Sequence, residues 1–219
     1  MTSSLVGVMP ETGDAPRVLQ ADALLPGAEA AARHLLGCYL VSIVGGRPVG
    51  GRIVETEAYL GRRDPASHAR ERIGRTRRND PMFGLPGTAY IYFIYGMHWC
   101  FNVVAAPEGE PEAVLIRAIE PLFGEDVMRE RRGGPKDLAN GPARLCAALG
   151  IDGSLNGHHL SDAPLLLFEP SARPEAEVAV TGRIGVREAE SWPLRFFYRG
   201  HRDVSRAKGA EPAPRSVMP

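Results

Sequence analysis

Cysteine is scarce in this chain of 219 residues, which has three, at positions 38, 100 and 146, and no C-x-x-C pair. This spacing excludes a disulfide framework and a zinc knuckle, since each needs several cysteines at close intervals. We predict that the three thiols are buried and reduced. His158 and His159 are adjacent, but no acid or cysteine stands at ligand spacing from them. We therefore expect neither a metal nor a cofactor.

Long apolar runs are also missing. No segment approaches the roughly 18 apolar residues that a membrane span needs, and residues 1–17 contain no basic start followed by an apolar core. We predict no membrane segment and a cytoplasmic location. With 44% hydrophobic residues the chain can bury one core, so we predict a single domain over residues 18–205. Residues 1–17 and 206–219 lack apolar periodicity and are predicted to be disordered tails.

The chain has no excess of either charge, because 26 basic side chains balance 26 acidic ones. This balance excludes a histone-like polycation but can hide a local field. Lysine occurs only at Lys136 and Lys208, whereas arginines are concentrated between residues 62 and 78. Such a concentration is typical of a solvated loop, but also of a surface that contacts phosphate groups. The candidates for phosphate contacts are Arg75, Arg77 and Arg78.

Strand and helix patterns do not alternate regularly, and no glycine-rich phosphate loop follows a strand, so a nucleotide-binding doubly wound sheet is disfavoured. Apolar spacing predicts a helix from Ala28 to about Gly37, followed by a hairpin of Tyr39–Val44 with Arg52–Tyr59. We predict an α+β domain with a curved, mainly antiparallel sheet, surrounding helices and a protruding β-hairpin. Further strands are predicted at Ala113–Ile119, Pro164–Phe168, Glu177–Val180 and Leu194–Tyr198, and helices at Glu125–Arg131 and Pro142–Leu149.

The segment IVETEAY, residues 53–59, has the composition of a strand and carries two acids. In regular alternation Glu55, Glu57 and Tyr59 share one face of the sheet. The same alternation places Ile53 on that face and the residues in between on the other. A strand glutamate is usually a solvated residue of an outer face. Alternation alone does not choose between Glu55 and Glu57 as an acid or base.

A second hairpin is predicted in AYIYFIYGMHWCFNVV, residues 89–104, with its turn at Tyr95-Gly96-Met97. Tyr95 and Met97 would lie at the tip, where an aromatic ring and a thioether find little core to enter. If exposed, they would form a wedge. Four aromatic residues of this hairpin are expected to pack in the core or against the sheet: Tyr90, Phe93, Trp99 and Phe101.

Together these segments supply the parts of a nucleobase site. The strand offers an acid or base, the hairpin offers flat aromatic surfaces, His68 and Asn102 offer hydrogen bonds, and the arginines offer phosphate contacts. An enzyme that acts on a base in duplex DNA must rotate the base out of the stack and hold it between aromatic faces. Side chains inserted from the minor groove can fill the gap that remains. The predicted partner is double-stranded DNA.

Six stretches stand out in this order: IVETEAYLG with His68, RNDPMFGLPGTAYIYFIYGMHWCFNVV, VLIRAIEP, NGPARLCAALGI, RIGV and WPLRFFYRG. Together they resemble the alkyladenine DNA glycosylase family, also called 3-methyladenine DNA glycosylases, from about Leu24 to Val204. Several long motifs in order are far more specific than one short pattern. The resemblance implies a monofunctional enzyme of base excision repair that cuts the N-glycosidic bond of damaged purines and leaves an abasic site. We expect it to act as a monomer.

Carried over position by position, the resemblance implies a role for the residues around the IVETEAY strand. Glu57 matches the family's general base, which activates water for attack on the sugar C1′. Arg117 matches a residue placed with Glu57 around that water. Tyr59, His68 and Tyr92 match residues that enclose the flipped base, and His68 is also placed to hydrogen bond near the sugar.

The hairpin carries the remaining matches. Tyr95 matches the side chain that fills the hole in the duplex, and Asn102 matches the residue that restricts exocyclic amino groups on purines. Met97 and His98 are predicted to join Tyr95 in the minor groove. His98 departs from the pattern of some family members, which carry another aromatic residue there. A more polar contact is expected at this position, with more effect on affinity than on chemistry.

One catalytic carboxylate, acting as a general base, is enough when the leaving purine is already positively charged. Glycoside hydrolysis usually employs two carboxyl groups, one of which protonates the leaving group. A purine methylated at N3 or N7 is already positive and leaves with little acid help, so Glu57 suffices. A neutral lesion such as hypoxanthine still needs a proton donor, and the preference among hypoxanthine, ethenoadenine and methylated purines stays open. So do two alternatives: a damaged-DNA binding protein without catalysis, and an RNA-binding module that stacks single-stranded bases.

Overall fold

The computed structural model describes residues 17–134 and 136–205, which form nine strands and three helices. The predicted tails, residues 1–17 and 206–219, lie outside the described residues, apart from Arg17, which pairs with Glu169. The strands are β1 (Arg17–Val18), β2 (Tyr39–Ser42), β3 (Val49–Tyr59), β4 (Ala89–Ile94), β5 (His98–Ala105), β6 (Glu112–Phe123), β7 (Leu165–Glu169), β8 (Val178–Thr181) and β9 (Arg195–Tyr198). The helices are α1 (Ala28–Leu35), α2 (Glu125–Arg132) and α3 (Pro142–Leu149).

The strands form one antiparallel sheet with the order β1-β7-β2-β3-β6-β5-β4. β3 is its centre, and β6 pairs with β3 along one edge. The other edge is divided, because β2 pairs with the first half of β3 and β9 pairs with the second half. β8 then pairs with β9. Because β3 pairs with two different strands along one edge, the sheet curls. The predicted α+β fold with a curved antiparallel sheet is thereby confirmed.

Irregular pairing in β3 contributes to this curl. Its register against β6 slips at Gly50–Gly51 and again between Ile53 and Thr56, and such bulges bend a strand. Gly51 lies so close to β6 that an added Cβ would stand 2.1 Å from the carbonyl oxygen of Glu120. Ile53 packs in the main core together with Val54. The prediction that Ile53 shares a face with Glu55, Glu57 and Tyr59 was therefore wrong, because the slip in register interrupts the alternation of side chains. The alternation holds only from Glu55 onward.

The helices pack on one side of the sheet and close the main core. Apolar residues of α1 recur at helical spacing and are buried, and Thr56 of β3 donates to the carbonyl of Ala32 on this helix. α3 starts with Pro142 in its first turn and ends at Gly150, whose left-handed backbone caps it. In the described chain each helix has eight residues, far below the roughly 20 that would cross a membrane.

The predicted elements are confirmed with small shifts at their ends. β6 is longer than predicted and continues to Phe123. The first strand of the first hairpin ends at Ser42 instead of Val44, because Val44–Gly46 forms a short helical turn in which Gly45 and Gly46 have φ values of 68° and 72°. The second hairpin turns at Tyr95-Gly96-Met97, as predicted. The three cysteines are buried and free, also as predicted.

Candidate active site

The two acids of β3 lie side by side and are fully buried. Four donors surround Glu55: the Nε atoms of Arg117 and Arg195, at 2.8 and 2.7 Å, and the backbone N–H and hydroxyl of Ser205, at 2.6 and 2.8 Å. A carboxylate offers about four acceptor positions. Glu55 is therefore committed to holding β3, β6, β9 and the end of the described chain together. Glu57 has a different environment.

Three groups face the Glu57 carboxylate. The N–H of Ile184 donates to Oε1 at 2.8 Å, the hydroxyl of Tyr59 donates to Oε2 at 3.0 Å, and Nη1 of Arg117 lies 3.1 Å from Oε1. Burial, and then the charge of Glu57, raises the pKa of Tyr59 well above its ordinary value, so Tyr59 stays a hydroxyl donor. These described neighbours leave one acceptor position on Oε2. A water molecule bound there would lie against a carboxylate able to take its proton.

Arg117 links the two acids. Burial alone would lower the pKa of its guanidinium, but the charges of Glu57 and Glu55 outweigh burial and raise this pKa above its ordinary value. The arginine is therefore permanently charged. It lies on β6 directly beside β3, and its guanidinium fixes the direction in which both carboxylates point.

A cavity of about 570 Å³ lies in front of this group. Its size falls within the range of roughly 300–1,000 Å³ typical of small-molecule sites. Glu57 is not part of its lining, but all three partners of Glu57 are, so the carboxylate lies directly behind the wall. The structure brings most of the predicted site residues together in this lining: Tyr59, His68, Tyr92, Tyr95, His98, Asn102 and Arg117.

Aromatic rings form one wall of the cavity. The ring centroids of His68 and Tyr92 are 4.5 Å apart, with an interplanar angle of 75°. Nδ1 of His68 lies 2.8 Å from the hydroxyl of Tyr90. Tyr90 was predicted to be a packing residue, and it is buried, but it also lines the cavity and orients His68. Asn102 is fixed as well, because its Nδ2 donates to the carbonyl of Tyr90 at 3.0 Å.

The tip of the second hairpin stands at the mouth of the cavity. Tyr95 is 77% exposed and Met97 is 67% exposed, as the predicted wedge requires. The backbone of Tyr95 is left-handed, with φ of 54°. His98 is exposed beside them and lines the cavity. Phe93 was predicted to pack in the core or against the sheet. Its ring does contact Trp99, at 4.7 Å between centroids, but it is 42% exposed.

The three arginines predicted to contact phosphate differ in their surroundings. Arg75 pairs with Asp80 at 2.6 Å, and Arg78 donates to the carbonyl of Phe93 at 3.1 Å and lies over the Tyr92 ring. Arg77 is exposed. Arg78 therefore braces the aromatic wall, and Arg77 is freer to reach a ligand. Two further arginines line the cavity without having been predicted, Arg70 and Arg187.

Sequence reasoning missed a loop that closes the cavity. Residues 184–188 line it, and Ile184 supplies the backbone N–H on Glu57. The RIGV motif contains this isoleucine, but a backbone donor leaves no signature in a side-chain pattern. Pro142 and Ala143, at the start of α3, also line the cavity. Their motif was noticed as part of the resemblance and given no role.

Outside the cavity, the described residues contain one group of side chains able to ligate a metal: His34, Cys38 and Glu169, whose donor atoms lie within 4.8 Å of one another. The guanidinium of Arg173 is already among them, 3.1 Å from Glu169 and 3.9 Å from the sulfur of Cys38. Burial, and then the charge of Glu169, raises the pKa of Cys38 to about 12. A cation there would lie against the guanidinium of Arg173, so we assign no metal to this group.

The environment of His68 leads to a testable pH dependence. Burial, and then the charges of Arg78 and Arg70, lowers the pKa of His68 to about 4, below the ordinary value of about 6.5. Between these pH values the unfolded chain binds a proton at this histidine and the folded chain does not. The resulting stability is fully present above about pH 6.5 and is lost as the pH falls toward about 4.

We expect the free energy of unfolding to fall by about 2 kcal/mol more in the wild type than in His68→Gln between about pH 8 and pH 5. Urea unfolding at a series of pH values measures this difference. His98→Gln, which removes an exposed histidine, is the control and should keep the wild-type profile. Parallel profiles for the wild type and His68→Gln would show that His68 is not held neutral.

Comparison with known proteins identifies the family. Residues 23–202 match the model of the methylpurine-DNA glycosylase family. A protein of Carboxydothermus hydrogenoformans is 48% identical over 180 residues, which cover 80% of this chain and 92% of the relative. A protein of Methanoculleus marisnigri is 49% identical with the same coverage, and one of Desulfitobacterium hafniense is 42% identical over 80% of this chain and 91% of the relative. All three are provisionally named 3-methyladenine DNA glycosylases.

The family match extends over nearly all of the described residues, including both hairpins and the loop that holds Ile184. The buried acids, the aromatic cavity and the exposed hairpin tip all lie inside the matched segment. The resemblance seen in the six motifs is thereby confirmed at the level of the family. This chain belongs to the methylpurine-DNA glycosylase family and is a DNA repair enzyme that hydrolyses N-glycosyl bonds.

Proposed function

We propose that the protein flips alkylated or deaminated purines out of duplex DNA and hydrolyses their N-glycosidic bond with a water molecule activated by Glu57. The observation that carries this proposal is the remaining acceptor position on Oε2 of Glu57, directly behind an aromatic-walled cavity. A general base must lie within reach of the proton that it removes, either directly or through one water. The substrates would be 3-methyladenine and 7-methylguanine, with hypoxanthine and ethenoadenine as neutral candidates.

In this mechanism the bond between C1′ of the sugar and N9 of the purine breaks, and its electron pair leaves with the purine. The oxygen of the water forms the new bond to C1′, and one proton of this water passes to the carboxylate of Glu57. An abasic sugar and a free purine result. Arg117 and the Ile184 N–H hold the carboxylate in place, and Tyr59 directs its hydroxyl to the same carboxylate.

The cavity suits a positively charged purine. Tyr59, Tyr92 and His68 line it, and burial raises the pKa of Tyr92 well above its ordinary value, so its ring stays neutral. His68 is neutral near pH 7, since its pKa is lowered to about 4. A cationic base between such rings gains cation–π attraction of about 1–2 kcal/mol once desolvated. Asn102 faces the same space and is proposed to restrict bases with exocyclic amino groups.

The duplex would lie across the mouth of the cavity. Tyr95 is proposed to enter the minor groove and fill the place of the flipped base, with Met97 and His98 beside it. All three proposed phosphate contacts are exposed, and Arg77 is the strongest because no hydrogen bond or ion pair holds its side chain within the described part of the chain, whereas Arg75 and Arg78 each have a partner there. These contacts would position the DNA without reading its sequence.

Competition between three DNA substrates tests this proposal. The protein is incubated with a duplex that contains one 7-methylguanine, with the same lesion in a single strand, and with the undamaged duplex, all in EDTA. We expect the damaged duplex to bind most tightly and to release its base fastest, because only a duplex has a gap for Tyr95 to fill. Tighter binding of the single strand, without base release from the duplex, would contradict the proposal and favour a single-strand binding module.

A further inference from the structure

A buried ion pair behind the cavity wall joins two loops. Arg183 and Asp64 are both fully buried, and they form two parallel contacts, one of them between Nη2 and Oδ1 at 2.9 Å. Burial alone would lower the pKa of Arg183, but the hydrogen bond and the charge of Asp64 raise it. Arg183 therefore keeps its charge inside the protein.

Asp64 organises the loop that leads to His68. Its Oδ2 accepts from the backbone N–H of Leu60 at 3.0 Å, and its Oδ1 accepts from that of Ala66 at 2.9 Å. The residues that follow, from Pro65 to His68, line the cavity. One carboxylate thus fixes the shape of the loop that forms part of the base pocket.

Arg183 reaches the other half of the site. Its guanidinium donates to the carbonyls of Ala58 and Ala189, at 3.1 and 3.3 Å, and lies 4.7 Å above the ring centroid of Tyr59. Ile184, the next residue in the chain, is the backbone donor to Oε1 of Glu57. The same arginine therefore supports the Tyr59 ring and fixes the backbone that holds the Glu57 carboxylate.

Stability alone does not explain this arrangement. Taking two charges out of water is costly, and a buried ion pair often stabilises a fold no more than apolar residues of similar size. Moreover, Nε of Arg183 is buried without a hydrogen-bond partner among the described residues, which adds to the cost. The residues that Asp64 and Arg183 contact belong to the end of β3 or to the loops around Glu57, Tyr59 and His68.

We infer that Arg183, held by Asp64, is a positioning residue that aligns the Ile184 N–H on Glu57 and the Tyr59 ring in the cavity wall, and so sets the rate of base excision. This inference rests on the proposed function. It assigns the pair to the chemical step and not to DNA binding, because both side chains are buried behind the cavity.

Two variants test the inference. Arg183→Lys keeps the charge beside Asp64 but cannot supply the four contacts of a guanidinium at once. The double variant Asp64→Asn/Arg183→Gln leaves no unpaired charge in the interior, so it is expected to fold. The matched controls are Arg47→Lys and Glu130→Gln/Arg47→Gln, which alter an exposed arginine–glutamate pair. Circular dichroism confirms folding of each variant.

Two quantities are measured for each variant: the rate of single-turnover excision and the Kd for a duplex that contains a stable abasic-site analogue. The excision rate is also measured at a series of pH values. We expect the Arg183 variants to slow excision by about 10²-fold, as a small misplacement of catalytic groups does, with unchanged Kd. The acidic limb of the profile should move to higher pH, because a carboxylate that loses an N–H donor holds its ionised form less well. The controls should match the wild type.

An unchanged excision rate in the Arg183 variants would overturn the inference. Slower excision together with weaker DNA binding and an unmoved acidic limb would also overturn it, because the pair would then have a structural role only. Failure of the proposed function gives a different result, because the wild type itself would then release no base. If Glu57→Gln loses the excision activity of the wild type while Arg183→Lys keeps the wild-type rate, the inference is rejected and the proposed function is kept.

Discussion

Glu57→Gln is expected to slow base release by about 10²- to 10⁴-fold, the usual contribution of a general base. Glutamine has the shape of glutamate and can still accept the N–H of Ile184, but its amide cannot take a proton from water. Arg117 keeps Glu55 as a charged partner at 2.8 Å, so no buried charge is left unpaired. The variant should therefore fold and bind damaged duplex as the wild type does.

Single-turnover release of the damaged base measures this effect, and the Kd for the same duplex shows whether binding is retained. The control is Glu120→Gln, which replaces another strand glutamate whose partner is an arginine, Arg52 at 2.9 Å, outside the cavity. We expect it to excise at the wild-type rate. If Glu57→Gln were as fast as this control, Glu57 could not be the base.

Tyr95→Ala is expected to reduce excision from duplex DNA by roughly 10²-fold, because unstacking a base costs a few kcal/mol and about 1.4 kcal/mol corresponds to a factor of ten. The ring is 77% exposed at the hairpin tip, so it contributes little to folding. Its expected role is to occupy the space of the flipped base. The variant should bind damaged duplex more weakly but keep the chemical step.

The same lesion in a single strand distinguishes this role from a catalytic one. A single strand has no gap, so the wild type and Tyr95→Ala should release the base from it at the same rate. Val178→Ala removes an exposed apolar side chain from β8 and should leave both rates unchanged. If Tyr95→Ala slowed excision from the single strand as much as from the duplex, Tyr95 would act on the base inside the cavity instead of filling the gap in the duplex.

The sheet could be predicted well from the sequence, and the reason is local. Strand composition and turn residues identify both hairpins, and Tyr95-Gly96-Met97 is the turn of the second because no other glycine interrupts its aromatic run. α3 was predicted at its observed bounds, since Pro142 and Gly150 mark its two ends. Ile53 was misplaced because a bulge depends on the partner strand, which local alternation does not describe.

The site was less accessible to sequence reasoning. Alternation placed Glu55 and Glu57 together, but the choice between them came from the family resemblance, and only the contacts show that Glu55 is held by Arg195 and Ser205 while Glu57 faces the cavity wall. The Ile184 N–H is invisible in a side-chain pattern. Asp64 and Arg183 are 119 positions apart, so no local pattern could pair them.

The most direct test of the central claim is a chemical count of products from one reaction. Duplex DNA carrying radiolabelled methyl groups on its purines is incubated in EDTA with the wild type or with Glu57→Gln, and free base and strand breaks are counted before and after alkali. The mechanism predicts free methylpurine with the wild type and strands that break only after alkali, and it predicts that both products form about 10²- to 10⁴-fold more slowly with the variant. Damaged DNA that is bound without any release of base would contradict it and leave a protein that only recognises damage.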